Sequence, residues 1–227
     1  MNTQIPLSIG IIMDGNRRYA KAKGLPSLEG HRAGYEKMRE TISWCKERGV
    51  RNLVVYAFST ENWNRSKEEV SYLMDLFRTA IKTVGKDAKK ERIRVVFLGE
   101  RARLPQDIIE QIKTVEAETA ACTTFTLGIA LSYGGRAEIL DAIHRIPKES
   151  LQSLSEEEFS DLLWTKDIPD PDIIIRTGGE YRLSNFLPWQ SVYSELFFID
   201  SFWPDFTRDE FDRILNEYAA RERRRGK

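Results

Sequence analysis

Short apolar runs alternate with stretches of helical periodicity along the whole of this 227-residue sequence. That alternation constrains the fold more than any other feature. The runs fall at residues 8–13, 51–58, 93–98, 125–131, 172–175 and 195–199, and they are apolar rather than alternating. A strand of that kind is buried on both faces, which is the habit of parallel sheets. Between the runs lie candidate helices. A short one carries Arg17 to Lys23 and stops at Gly24, and Leu25 to Gly30 reads as loop. The next runs from about His31 to Arg48. A capping box, Ser66-Lys67-Glu68-Glu69, opens a long helix with Val70, Leu73, Met74, Phe77, Ile81 and Val84 at helical spacing. Pro105 is placed as a first helical residue. Further helices are expected at roughly 136–146 and at 155–164, and behind the Thr207-Arg208-Asp209-Glu210 cap. The fold class that follows is α/β: a mostly parallel, six-stranded sheet with helices on both faces, in a single domain over 1–227.

Composition narrows the function. Lys+Arg and Asp+Glu each number 35, so there is no bulk charge to attract nucleic acid. Cys45 and Cys122 are too far apart to suggest a disulfide framework or a zinc site, which fits a reducing cytosol. The first residues carry no secretory pattern and no segment is long enough to span a membrane. A cytoplasmic protein is expected, one that meets any lipid from the water side.

In parallel sheets ligands bind beyond the carboxyl ends of the strands. The polar punctuation of this chain lies at four such ends: Asp14 to Arg18, Ser59 to Arg65, Tyr133 to Arg136, and Arg176 to Ser184. These ends are expected to converge on one rim. Asp14-Gly15-Asn16 alone reads equally well as a turn, but Arg17 and Arg18 follow it, and two adjacent cations suit an anion site. Gly15 permits close backbone approach and the start of a helix favours anions. Arg176 and Arg182 flank two glycines beside Ser184, a set of donors suited to phosphate. The bland readings stand beside these: Trp63 as packing, His31 as a residue of a helix start, the 67–84 stripe as core. No Ser/His/Asp set, glycine-rich nucleotide loop or His/Cys cluster occurs. A diphosphate with Mg2+ is the natural ligand class.

These motifs, in this order, resemble the cis-prenyltransferases, the undecaprenyl diphosphate synthase family. The resemblance is carried by Met13-Asp14-Gly15-Asn16-x-Arg18, Gly30-His31-x-x-Gly34, Phe58-Ser59-Thr60-Glu61-Asn62-Trp63-x-Arg65, Tyr133-Gly134-Gly135-Arg136, Ile175-Arg176-Thr177-Gly178-Gly179-Glu180, Arg182-Leu183-Ser184-Asn185-Phe186, Trp189-Gln190 and Glu195-Leu196. It implies a Mg2+-dependent enzyme that condenses isopentenyl diphosphate with an allylic diphosphate, such as farnesyl or geranylgeranyl diphosphate, to give a polyprenyl diphosphate. Asp14 would hold the metal on the diphosphate. Gly15, Asn16, Arg17 and Arg18 would cradle the allylic diphosphate, with Tyr19 and His31 beside it. Ser59, Thr60, Glu61, Trp63 and Arg65 would line the junction of the two substrates. Asn62 resembles the proposed proton acceptor and, being a neutral amide, reads better as orienting a proton path. Arg176, Arg182, Leu183 and Ser184 would take isopentenyl diphosphate. Glu195 would join metal binding, within the chain or across a dimer.

The resemblance further implies a homodimer, with Arg224-Arg225-Gly226 similar to a C-terminal Arg-x-Gly element, an apolar tunnel along the 67–84 helix, and peripheral membrane contact for product release. The chain departs from the family's pattern in four places. Arg17 stands where a second glycine is usual, and Tyr19 where tryptophan is commoner. Ser27 replaces an arginine, and Tyr181 replaces a histidine that would be a metal ligand. A hypothesis follows, that Arg17 restores the charge lost at Ser27. Two other readings remain open here: a non-catalytic partner subunit on the same fold, and a phosphohydrolase with Asp14 as nucleophile. Asn16, where a second acid would be wanted, weighs against the last.

Overall fold

The computed structural model of the chain describes residues 5–221. The apolar runs form β1 (Ser8–Ile12), β2 (Asn52–Ser59), β3 (Ile93–Leu98), β4 (Phe125–Tyr133), β5 (Ile173–Arg176) and β6 (Glu195–Phe198). They make one six-stranded sheet in the order β3-β4-β2-β1-β5-β6, and every neighbouring pair is parallel. The connecting helices are α1 (Asn16–Ala22), α2 (Ser27–Glu47), α3 (Lys67–Glu91), α4 (Gln106–Thr119), α5 (Gly135–Arg145), α6 (Glu156–Ser160) and α7 (Arg208–Ala220).

Both faces of the sheet are covered, as continuous apolar strands require. Ile9 and Ile11 of β1 and Leu53 and Val55 of β2 join one core with Met38 of α2, Leu73 and Ile81 of α3, Ile108 of α4 and Phe211 of α7. Ile12 and Val54 belong to the second core, with Ala130, Ile174, Phe186 and Leu187. Gly10 admits that second layer: a β-carbon there would lie 3.0 Å from the Phe186 ring. The irregular stretches on either side of β5, with Trp164 and Ile168 before it and Leu183, Phe186 and Leu187 after it, close this face, and α5 and α6 meet them in a small cluster of Ala142, Phe159 and Leu163 against Trp189.

Several boundaries differ from the sequence reading, each for a local reason. Helix α2 begins at Ser27, after Pro26, rather than near His31. Gly30 looks like a helix breaker but serves close packing, since a β-carbon there would lie 2.0 Å from the carbonyl oxygen of Asn16 on α1. Pro105 caps α4 instead of opening it. Helix α6 ends at Ser160, because the chain then turns to bring Thr165 N–H to Glu138 and Trp164 Nε1–H to Asp141. The capping boxes at Ser155 and Thr207 form in full. At Ser66 only half forms: its side chain accepts from Glu69 N, while the Glu69 carboxylate turns away to Arg65. The Arg224-Arg225-Gly226 element lies outside the described residues. No helix among the described residues is long and apolar enough to cross a membrane.

Candidate active site

The carboxyl ends of β4, β2, β1 and β5 are neighbours in the sheet, so the four polar segments meet on one rim. At the end of β1 the chain turns sharply at Gly15, with φ 108°. A β-carbon there would stand 2.9 Å from Phe202, so the position demands glycine on two counts. The Asp14 carbonyl accepts from Thr177 Oγ1 at 2.8 Å and from Trp203 N at 2.9 Å, which fixes the turn to the segments after β5 and β6. Its carboxylate then meets two arginines. Oδ2 lies 2.9 Å from Arg176 Nη2, and Oδ1 lies 3.2 Å from Arg18 Nη2. Gly178, with φ 89°, makes room for the second of these, because a β-carbon would come within 2.6 Å of Arg18 Nη2.

Arg176 is the last residue of β5 and only 3% exposed. Besides Asp14 it donates to Ser184 Oγ at 2.8 Å and to the Arg182 carbonyl. Arg182 itself is exposed and pairs with Glu180, which also faces Arg18 at 3.5 Å. On the opposite side stand His31, Arg65 and Arg17, all drawn toward Glu69. Arg65 bonds it at 2.9 Å, Arg17 lies 3.5 Å away and His31 Nε2 3.6 Å away. Burial, then the Arg65 charge, holds the His31 pKa below its ordinary value, so the ring is neutral at neutral pH.

These groups line a cleft of about 550 Å³ that includes Asp14, Asn16, His31, Ser59, Glu61, Asn62, Arg65, Arg176 and Ser184. Three buried polar atoms on its wall, Asn16 Oδ1, His31 Nε2 and Arg176 Nε, have no hydrogen-bond partner among the described residues. A polar ligand or water in the cleft would satisfy such atoms. A second cavity of about 90 Å³ shares Met13, Asn16, His31, Ala57 and Leu73 with the cleft. It runs between α2 and α3 and is apolar, walled by Met38, Phe77, Ala80, Ile81, Val84 and Ile129 among others. An outer depression of about 290 Å³ holds Arg17, Arg18, Glu180 and Arg182 beside Asp14.

Residues 12–226 match the family model described as "Putative undecaprenyl diphosphate synthase". The chain belongs to this prenyltransferase family. An isoprenyl transferase of Thermotoga maritima is 48% identical over 98% of this chain and 97% of its own length. A tritrans,polycis-undecaprenyl-diphosphate synthase (geranylgeranyl-diphosphate specific) of Thermoplasma acidophilum is 46% identical over 98% of this chain and 89% of its own. Among solved structures, lavandulyl diphosphate synthase from Lavandula x intermedia, in complex with dimethylallyl diphosphate, superposes with a TM-score of 0.93 and 31% identity. That match covers 98% of this chain and 99% of the other.

Within this prenyltransferase the sequence-derived site residues divide. Asp14, Asn16, His31, Ser59, Glu61, Asn62, Arg65, Arg176 and Ser184 share the cleft; Gly15, Arg17, Arg18 and Arg182 border it. Tyr19, Thr60, Trp63 and Leu183 line neither space. Lys23 Nζ lies over the Tyr19 ring at 4.6 Å. Thr60 packs where a β-carbon on Gly134 would go. Trp63 turns back onto Phe58 at 5.0 Å and donates to Ser132 Oγ at 2.9 Å. Leu183 packs against the second core. Tyr181 is 72% exposed and rests near Phe198 at 5.3 Å.

Glu195 is not brought to Asp14. It is level with Ile173, and through it with Ile9, at the amino end of β6. That is three residues below the rim, or about 10 Å along the strand. Its carboxylate pairs with Arg221. Sharing an ion with Asp14 inside one chain is therefore ruled out by strand direction. Residues the sequence reading passed over include Glu69, used there only as a cap, and Tyr56, hidden in an apolar run. Their signal was a carboxylate one turn beyond Arg65 and a hydroxyl near the end of a buried strand.

Proposed function

We propose that this chain is a Mg2+-dependent prenyltransferase that condenses isopentenyl diphosphate with an allylic diphosphate, such as farnesyl or geranylgeranyl diphosphate, to give a polyprenyl diphosphate. One observation carries the reading. A cleft with arginines, two carboxylates and orphaned polar atoms opens beside an apolar cavity that begins with the same residues. A charged head and an apolar tail are the two halves of a prenyl diphosphate.

The donor set also bears on the metal. No group of three His, Cys, Asp or Glu side chains able to hold an ion occurs among the described residues. Mg2+ is usually held by one or two carboxylates together with substrate phosphates and water. Asp14 fits an ion shared with a diphosphate. When bound, Mg2+ would neutralise charge on the departing diphosphate. A role for Glu195 in that binding would require a second protomer.

The chain's own residues supply the rest. Arg17 and Arg18 bind the allylic diphosphate and stabilise the charge that builds on it as its bond to C1 breaks. Arg176, Arg182 and Ser184 hold isopentenyl diphosphate, whose double bond attacks that C1. A proton then leaves C2, and the new double bond is cis. Asn62 Oδ1 already accepts from Ser59 N at 3.1 Å, so its free amide hydrogens orient a diphosphate oxygen toward that proton. The walls of α2 and α3 keep water from the allylic cation.

The subunit is proposed to pair with a second copy along β6, an edge strand that carries exposed Leu196 and is preceded by exposed Val192 and Tyr193. A cytoplasmic enzyme in peripheral contact with the membrane that receives its product completes the proposal. The partner-subunit alternative is disfavoured because Asp14, Arg18, Arg176 and Arg182 stand together on one rim. Chain extension assayed with and without a chelator tests the reading.

A further inference from the structure

Tyr56 lies four residues from the start of β2, and nothing in the chemistry above uses it. Its hydroxyl stands 3.1 Å from the Tyr133 carbonyl oxygen and 3.3 Å from that of Ser184. One proton is thus shared between the end of β4 and the loop that follows β5. The ring is fixed from two sides. It stacks on Phe186 at 4.8 Å and 21°, and meets Tyr133 edge-on at 5.9 Å. Burial, reinforced by the Glu61 charge, pushes the hydroxyl pKa well above that of an ordinary tyrosine, so the group stays a donor. Just beyond Tyr56 the register of β2 against β4 shifts twice. A bulge there re-aims the strand end, and Tyr56 joins Arg176 and Ser184 on the cleft wall.

The loop it holds needs holding. Ser184, Asn185 and Leu187 are non-glycine residues with φ of 49°, 66° and 48°. Side chains rarely adopt that region, and such strain persists only where the surroundings fix it. Asn185 is fixed by its own contacts: Nδ2 donates to Glu61 at 3.0 Å, and Oδ1 accepts from Arg136 N at 2.9 Å. The Ser184 carbonyl is held by Tyr56. Beyond the backbone, Ser184 Oγ accepts from Arg176 Nη1 at 2.8 Å, and Arg176 Nη2 reaches Asp14 at 2.9 Å.

We propose that Tyr56 is a positioning residue for the isopentenyl diphosphate half of the site, acting by holding Ser184 in its left-handed conformation so that Ser184 Oγ and Arg176 face the diphosphate together. The proposal rests on the function proposed above. It assigns to a strand residue, through one hydroxyl, a selective effect on one of two substrates.

Tyr56→Phe in the full chain tests it, since the ring and its stacking are kept. KM is measured for each substrate with the other saturating. Loss of one hydrogen bond to the positioning chain is expected to raise KM for isopentenyl diphosphate about tenfold, with kcat within about threefold and the allylic KM within about twofold. In a Ser184→Ala background the effect of Tyr56→Phe on that KM is expected to shrink below about twofold. A merely structural role would raise both KM values alike or lower the melting temperature without a split. Either result overturns the proposal, as does an unchanged KM. Should the native chain extend no primer, the functional reading fails, and calorimetric binding of inorganic pyrophosphate decides the positioning claim. Binding about tenfold weaker in Tyr56→Phe supports it; equal binding, or none by the native chain, overturns it.

Discussion

Asp14 Oδ2 and Arg176 Nη2 meet at 2.9 Å, joining the ends of two adjacent parallel strands that lie 162 residues apart in the chain. The arginine is nearly buried, the carboxylate about one-third exposed. The pair gives the carboxylate a fixed direction and keeps the guanidinium compensated. Asp14→Asn keeps the shape and removes the charge. Turnover is expected to fall at least about 100-fold, because the amide would no longer hold the Mg2+ that offsets charge on the departing diphosphate. Stability is expected to fall by roughly 1–3 kcal/mol, because Arg176 is left without its anion. Steady-state rates and urea midpoints check both. Turnover within about tenfold of the native value would contradict the role given to Asp14.

Arg17 stands 3.5 Å from Glu69 and borders the outer depression with Arg18 and Arg182, while Ser27 opens α2 without a charge. Arg17→Gly is expected to weaken binding of the allylic diphosphate about tenfold, the value of one charge-assisted contact. Arg17→Gly/Ser27→Arg is expected to recover most of that loss. Calorimetry with a non-reactive allylic analogue measures it, and unaltered affinity in the single variant would end the compensation idea.

His31 offers a pH test. Burial and Arg65 hold its folded pKa below the value of 6.5 that it has when unfolded. Below that value the unfolded chain binds a proton that the folded chain resists. The stability this group contributes is therefore complete above about pH 6.5 and is lost as pH falls through the folded value. Thermal midpoints measured downward from neutral pH are expected to decline less steeply in His31→Asn. Parallel declines would show that another group carries the effect.

Ala80 lies on α3 against the apolar cavity. The space is about 90 Å³ against about 550 Å³ for the polar cleft, so a growing chain housed there would have to part α2 from α3. The ion pairs across their far ends, Arg39 to Asp87 at 2.9 Å and Lys46 to Glu91 at 2.6 Å, are surface pairs and resist that little. Ala80→Leu fills the space from within. Its product is expected to be shorter by roughly one isoprene unit or more, read by reversed-phase separation. An unchanged product distribution would place the growing chain elsewhere.

The sheet was legible because its strands are apolar throughout, which leaves parallel order with both faces covered as the natural arrangement. The rim was legible because charge and glycine cluster where apolar runs stop. What the sequence concealed is relational. Gly30 reads as a breaker until the Asn16 carbonyl is seen against it. Glu69 reads as half of a capping box until three basic groups are found around its carboxylate. Glu138, in the first turn of α5, is buried and accepts from Tyr133, Gln190 and Thr165 N–H. Glu195 sits in a motif beside active-site residues, but strand direction puts it at the far end of β6. Each depends on which distant segment arrives, and local spacing carries no record of that.

The most direct measurement is a chain-extension assay on the full chain. Radiolabelled isopentenyl diphosphate is supplied with farnesyl or geranylgeranyl diphosphate and Mg2+, with and without a chelator, and the products are separated by length. The expected result is a polyprenyl diphosphate longer than the primer that forms only with Mg2+ and is lost in Asp14→Asn. No extension of any allylic primer under these conditions would contradict the account.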